Sequence, residues 1–223
     1  MFGVESYLNK IAGIFEKNGN NQIAIEQSKY LKNHFIFYGI KSPLRKALIS
    51  GFFKEENIPT PDNFEEVTKE AYQFPQREMH YFAIAVVEKG KKHLNPNHLS
   101  LIKWLIENNA WWDTVDLLAS HFVGHLLKKY PDLTNEMDNW IVSENMWLRR
   151  SAILYQLGYK DKTDSERLFK YCSKLSHEKE FFIRKAIGWS LRQYSKVNSE
   201  AVKEFVDTFP LSNLSKKEAL KYF

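Results

Sequence analysis

Residues 99–129 read LSLIKWLIENNAWWDTVDLLASHFVGHLLKK and contain the clearest helical pattern of the chain. Apolar residues recur at helical spacing over 99–107 and again over 115–129. A short junction separates the two runs, and helices joined by short connections are antiparallel neighbours. This stretch therefore predicts a pair of packed α-helices.

The same pattern continues along the chain, which predicts an all-α fold. Further helical runs are predicted over 4–17, 64–74, 77–89, 133–142, 147–157, 166–175, 181–194 and 201–209. Ser42 is expected to cap another helix, with Pro43 at its first position. Strand signals are nearly absent, and no Gly-, Pro- or Ser-rich linker interrupts residues 1–223, so we expect one continuous domain.

The predicted helices also follow one another in pairs. Two short helices with their turns take roughly 40 residues, which is the period of HEAT-type α-solenoids. Such a solenoid has a concave face that suits an elongated ligand such as a nucleic-acid duplex.

Composition excludes several classes of protein. The chain has 223 residues, a net charge of +5, a pI near 9.0 and 15% aromatic residues, which allows a sizeable core and argues against disorder. No apolar run approaches the ~20 residues of a membrane span. Residues 1–6 lack signal-peptide features, and the lone Cys172 excludes an internal disulfide, so we expect a cytoplasmic protein.

The junction at 109–116 combines two tryptophans with two acids. Asp113 is expected to cap the following helix, and Asp116 then falls near the third helical position. Asp116 either serves the helix start or shares a face with Trp112, four residues earlier. Aromatic faces and negative charge together hold a cation, and on a basic protein this combination points to nucleic acid with a positively charged base.

Two later clusters combine aromatic and basic residues. Arg150 follows Trp147 and is either a phosphate ligand in a groove or part of a surface salt bridge. Trp189 has Lys185 and Arg192 on its helical face, an arrangement that suits either a nucleic-acid backbone or core packing. Asp116, Arg150 and Trp189 are 34 and 39 residues apart, close to one solenoid repeat each, so they are expected to align.

Three segments, 111–116, 147–154 and 181–189, resemble the AlkD-like DNA alkylation repair family, and 30–43 is similar to its amino-terminal region. The resemblance implies a right-handed α-α superhelix of HEAT-like repeats with a concave groove. It implies a DNA glycosylase that excises 3- and 7-alkylated purines from duplex DNA, through an open groove that leaves the lesion stacked. The family's catalytic Asp falls on Asp116, its groove arginine on Arg150, and its groove tryptophans on Trp112 and Trp189.

Further DNA contacts are expected from Tyr30, which matches a cleft aromatic of the family, and from the helix start at Ser42. Free backbone N–H groups at that start offer an anion site, with Lys41 and Arg45 nearby. We expect a monomer that binds alkylated double-stranded DNA without metal, cofactor or membrane.

Two alternatives remain open. The first is a non-catalytic HEAT-like module that binds DNA or protein. The second is a metal hydrolase, because His121 and His125 are four residues apart. Phe122 stands where an H-E-x-x-H protease needs Glu, which favours a structural or solvent-facing role for both histidines.

Overall fold

The structure is a computed structural model that describes residues 3–223. Within this range the secondary structure is helical, without strands, and an isolated parallel bridge joins Ile36 to Gln76. The all-α prediction is confirmed. Over the same residues, no helix combines the length and apolarity needed to cross a bilayer.

The α-helices follow one another in short steps along the chain. They are α1 (Val4–Lys17), α2 (Asn21–Tyr30), α3 (Ser42–Glu55), α4 (Phe64–Tyr72), α5 (Arg77–Gly90), α6 (His98–Glu107), α7 (Trp112–Leu117), α8 (Gly124–Lys129), α9 (Glu136–Trp140), α10 (Met146–Leu154), α11 (Ser165–Lys174), α12 (Phe181–Ser195), α13 (Ser199–Thr208) and α14 (Asn213–Ala219). A π-helix, Leu118–Val123, joins α7 to α8, and short 3₁₀-helices occupy Lys91–His93, Pro131–Asn135 and Lys160–Lys162.

Some helix boundaries differ from the predicted ones. The helix α3 begins at Ser42 itself, so Lys41 occupies the cap position and Pro43 the second helical position. The prediction of Ser42 as the cap is therefore wrong by one residue. Sequence periodicity does not predict the helix α2, because it buries no residue and thus lacks an apolar stripe.

The chain divides into two compact units, Met1–Leu94 and Asn95–Phe223. In the first unit, α1 packs on α3 and α4, and α5 packs on α3 and α4. Aromatic rings from these helices pack edge to face. The ring centroids of Tyr7 and Phe52 are 4.8 Å apart, and those of Phe52 and Phe82 are 5.7 Å apart. Burying each such ring contributes roughly 1.5–3 kcal/mol.

A buried carboxylate fixes the loop that precedes α3. Glu78 accepts hydrogen bonds from the backbone N–H groups of Tyr38, Gly39 and Ile40, at 3.0, 2.9 and 3.1 Å. Gly39 has a φ of +90°, a conformation that favours glycine, and a Cβ there would lie 2.0 Å from the Asn20 carbonyl oxygen. The start of α3 is thus set by a buried carboxyl group that accepts three backbone hydrogen bonds.

The second unit is organised around α10 and α12. The helix α10 packs against α6, α7, α9, α11, α12 and the π-helix, and α12 also packs against α13 and α14. The contact between α12 and α14 depends on Gly188, because a Cβ at this position would lie 2.4 Å from the Cβ of Glu218. Side chains of α7, α10, α12 and α14 form the candidate site.

Candidate functional site

The helix that bears Asp116 begins earlier than predicted. Backbone N–H groups of Thr114 and Val115 donate to the Trp111 carbonyl oxygen at 3.2 and 3.0 Å, so Trp111 occupies the cap position. Asp113 therefore lies in the first turn, and its prediction as the cap residue is wrong. The early start places Trp112 and Asp116 one turn apart on one helical face, and both line the same cavity.

The backbone after Asp116 changes from α- to π-helical geometry. The π-helix begins at Leu118, and the Ser120 hydroxyl donates to the Asp116 carbonyl oxygen at 2.6 Å. Single π turns inside α-helices occur frequently at functional sites. The wide turn follows directly on the segment that presents the carboxylate.

Asp116 and Arg150 form a bidentate ion pair. Arg150 Nε lies 2.7 Å from Asp116 Oδ1, and Arg150 Nη2 lies 2.8 Å from Asp116 Oδ2. A third hydrogen bond runs from Arg150 Nη1 to the Phe182 carbonyl oxygen. The side chains of Arg150 and Asp116 are only 5% and 17% exposed, so this is a buried pair rather than a surface salt bridge.

The environment of Asp116 raises the pKa of its carboxyl above the ordinary value. Burial is the largest cause, since it disfavours the charged form, and the negative charge of Asp113 adds to it. The hydrogen bonds and the charge of Arg150 act in the opposite direction and stabilise the ionised carboxylate. Asp116 therefore combines a desolvated position with a fixed cationic partner.

Aromatic rings support the Arg150 side of the site. The rings of Trp111, Trp147 and Phe182 contact one another, with centroid separations of 5.6, 5.2 and 5.0 Å. The guanidinium carbon of Arg150 lies 5.8 Å from the centroid of Phe182. Trp111 and Trp147 thus pack against Phe182, the residue whose backbone carbonyl oxygen accepts a hydrogen bond from Arg150.

The neighbouring Arg149 has a different environment. Its Nη1 donates to the carbonyl oxygens of Ser143 and Glu144 at 2.7 and 2.8 Å, and its Nε lies 3.1 Å from Glu178 Oε1. These contacts tie the turn before α10 to the segment before α12, which is a structural role.

Lys185 and Arg192 share a carboxylate that the sequence did not reveal. Lys185 Nζ lies 2.7 Å from Glu218 Oε1, and Arg192 Nη1 lies 3.0 Å from Glu218 Oε2. Glu218 belongs to α14, a short helix that periodicity does not predict and that belongs to none of the three motifs. The cationic partners lower the pKa of Glu218, with the hydrogen bond from Lys185 as the largest cause.

These side chains line one cavity of about 370 Å³. It brings together six of the predicted residues, namely Trp112, Asp116, Arg150, Lys185, Trp189 and Arg192, and adds Phe181, Phe182 and Glu218. Carboxylate, guanidinium and indole groups thus face a common space, as the repeat spacing predicted.

The remaining predicted residues belong to the first unit. Tyr30 ends α2 and is 69% exposed, and Lys41 and Ser42 are exposed at the start of α3. The Arg45 guanidinium carbon lies 3.9 Å from the centroid of the Tyr81 ring. DNA contacts by these four residues stay predictions.

The metal-hydrolase alternative gains no support. His121 is exposed in the π-helix, whereas His125 is half-buried in α8. Across residues 3–223, no group of three or more His, Cys, Asp or Glu side chains is placed to hold a metal ion.

A sequence model described as "DNA alkylation repair enzyme" matches residues 12–223. The chain belongs to this family. The DNA alkylation repair family thus accounts for nearly the whole chain, including every residue that lines the cavity. No curated protein sequence matches the chain.

Solved structures agree with the family assignment. A predicted DNA alkylation repair enzyme from Enterococcus faecalis is 33% identical, with a TM-score of 0.86, and the match covers 92% of this chain and 96% of that one. AlkD2 from Streptococcus mutans is 16% identical with a TM-score of 0.68, covering 99% of both chains. Smu.31 from Streptococcus mutans UA159 is 18% identical with a TM-score of 0.61, covering 81% and 98%. The last two similarities show the shared helical fold.

Proposed function

We propose that this member of the family is a DNA glycosylase that excises positively charged 3- and 7-alkylated purines from duplex DNA. The observation that supports this most directly is the Asp116 carboxylate, held by Arg150 in a cavity that Trp112 and Trp189 also line. Family membership supports a role in alkylation repair, and the cavity's chemistry suggests which reaction.

The proposed reaction needs no strong general acid. Alkylation at purine nitrogen 3 or 7 leaves the base positively charged, so the electron pair of the breaking N-glycosidic bond neutralises it as it departs. The barrier lies in the sugar, which develops oxocarbenium character. A carboxylate stabilises that charge and orients the water that attacks the sugar carbon, with the water proton passing to the carboxylate or to solvent.

The geometry of Asp116 suits this role. A carboxylate offers about four lone-pair positions, and Arg150 uses one on each oxygen, so each oxygen retains a free position. Because the bidentate pair fixes the orientation of the carboxylate, no reorganisation is needed when the sugar becomes cationic.

The cavity's other groups provide binding. Trp112 and Trp189 are proposed to pack on the deoxyribose and to attract the cationic lesion, at ~0.5–2 kcal/mol for each favourable contact. Lys185 and Arg192 are proposed to lie near the phosphate backbone. Three of Arg150's five N–H groups already donate to Asp116 and Phe182, so a phosphate contact would use the remaining two.

The test is direct detection of freed bases from methylated duplex DNA. We expect the wild type to release 7-methylguanine and 3-methyladenine, and Asp116→Asn to lose ~10²–10³ in rate while still binding DNA. Asp113→Asn is the matched control, because it removes a carboxylate three residues away that does not line the cavity. A thermal melt of each variant verifies folding.

A wild-type protein that binds DNA but releases no base would favour the alternative, a non-catalytic binding module. Equal rates for Asp116→Asn and Asp113→Asn would contradict the role assigned to Asp116 even if excision occurs.

A further inference from the structure

Glu218 lines the cavity, but the proposed chemistry assigns it no step. Its two oxygens contact different cations, Lys185 at 2.7 Å and Arg192 at 3.0 Å. The side chain is 18% exposed, and those of Lys185 and Arg192 are 35% and 16% exposed. Lys185 and Arg192, two of the cations expected to meet DNA, are therefore already paired inside the protein.

Packing of α14 fixes the position of this carboxylate. Gly188 allows α14 to approach α12, since any Cβ there would collide with Glu218. Ser215 ties the two helices together by donating from its hydroxyl to the Arg184 carbonyl oxygen at 3.0 Å, and its own N–H is capped by Ser212 at 3.1 Å. Exposed ion pairs between mobile side chains contribute little, but this one is built into a helix contact.

Carboxylate and phosphate oxygens compete for the same donors. Lysine and arginine bind either anion through charge-assisted hydrogen bonds. Each cation that contacts DNA releases counterions, which supplies most of the sequence-independent affinity. An internal carboxylate on those cations reduces the number that are free to bind the phosphate backbone.

We propose that Glu218 is a specificity-determining residue that occupies Lys185 and Arg192 in place of a DNA phosphate and thereby weakens the grip on undamaged duplex. This inference rests on the proposed function only in taking DNA as the ligand. The ionised Glu218 also lowers the formal charge of the five ionisable cavity side chains from +2 to +1, since Arg150, Lys185 and Arg192 oppose Asp116 and Glu218. A cationic purine therefore meets less repulsion.

The experiment measures binding of the full chain to an undamaged duplex as a function of salt. We expect Glu218→Gln to steepen the slope of log K against log salt by about 0.9 for each additional phosphate that the protein neutralises. For one additional phosphate, the ratio of the Glu218→Gln binding constant to the wild-type binding constant should be about eightfold larger at 0.1 M salt than at 1 M salt. Glu218→Asp, which keeps the charge, should restore the wild-type slope.

Glu178→Gln is the matched control for net charge. Glu178 pairs with Arg149 at 3.1 Å, its side chain is 19% exposed, and it does not line the cavity. Its substitution removes the same charge, so we expect its slope to equal that of the wild type. Equal steepening in both variants would mean that net charge alone is responsible, which contradicts the proposal.

Lys185→Gln provides a second test, and its measurement in the wild-type background does not depend on the folding of a Glu218 variant. In the wild-type background this substitution should lower the slope by well under 0.9, because Lys185 is already paired, whereas in the Glu218→Gln background it should lower it by about 0.9. A full loss in the wild-type background would overturn the proposal. Duplex binding with an unchanged slope for Glu218→Gln contradicts only the role of Glu218, whereas no duplex binding by the wild type contradicts the proposed function itself.

Discussion

Replacing Arg150 by methionine should destabilise the second unit strongly, because it leaves a buried carboxylate without its partner. The substitution removes both hydrogen bonds to Asp116 and the one to the Phe182 carbonyl oxygen. Asp116 is only 17% exposed on its side chain, so water replaces few of these contacts. Breaking a buried pair in this way costs about 3–5 kcal/mol.

A double-mutant cycle separates the pair from the individual side chains. We expect Asp116→Asn alone to be destabilising as well, since it leaves the Arg150 guanidinium buried without a countercharge. The double variant Arg150→Met with Asp116→Asn has no buried charge, so it should cost no more than the worse single variant. The coupling energy should therefore be at least as large as the cost of the milder single variant, which is about 3 kcal/mol.

Urea unfolding, monitored by tryptophan fluorescence, measures the free energies of this cycle for the second unit, Asn95–Phe223. All six tryptophans lie between residues 104 and 189, within Asn95–Phe223, so the fluorescence signal reports on the unit that contains the site. Far-UV circular dichroism follows the helices of the whole chain as a second probe. Free energies that add to within ~0.5 kcal/mol would refute the coupling, and with it the conclusion that Arg150 holds Asp116 in place.

Two further outcomes follow from the same geometry. Burial places the pKa of Asp116 above its ordinary value, and the excision rate should fall by about tenfold per pH unit below that pKa, because protonation removes the negative charge. A pH–rate profile corrected for spontaneous base loss checks this. A flat profile down to pH 4 would contradict it. Gly188→Ala should destabilise the protein by about 1–3 kcal/mol through overpacking. Gly13→Ala, whose added Cβ meets no atom within 4 Å, should instead stabilise it by roughly 0.5–1 kcal/mol. Midpoints of urea unfolding compare the two variants, and an unchanged midpoint for Gly188→Ala would refute the close contact between α12 and α14.

Helical periodicity is sufficient to predict the fold class and most helices, because an apolar stripe at 3.6-residue spacing is a strong signal. The helix α1 has the predicted bounds, Val4–Lys17. The periodicity misses α2 and α14, which are ten and seven residues long and bury few side chains or none. Such helices depend on their neighbours rather than on a pattern of their own.

Local preferences are less reliable at the site. Asp is favoured at helix caps, yet the Trp111 carbonyl oxygen accepts the first helical hydrogen bonds, and α7 begins one residue before Asp113. The spacing of His121 and His125 suggests one face of an α-helix. A π-helix has i→i+5 hydrogen bonds, so that spacing no longer corresponds to one turn, and the two rings differ in exposure.

The sequence predicts the members of the candidate site but not their pairing. Repeat spacing indicates that Asp116, Arg150 and Trp189 align, and they line one cavity. The direct bond between Asp116 and Arg150 depends on side-chain geometry that spacing does not specify. Glu218 lies 102 residues from Asp116 and outside every motif, so only the packing of α14 on α12 reveals it.

The close contact between Gly188 and Glu218 links these two distant sequence positions in the evolution of the family. A relative with a larger residue there must move its last helix outward, and an acid at the position of Glu218 would then no longer meet the two cations. The small residue at position 188 and the acid at position 218 are therefore expected to be inherited or lost together. An alignment in which the two positions vary independently would show that the spacing of these helices does not couple them.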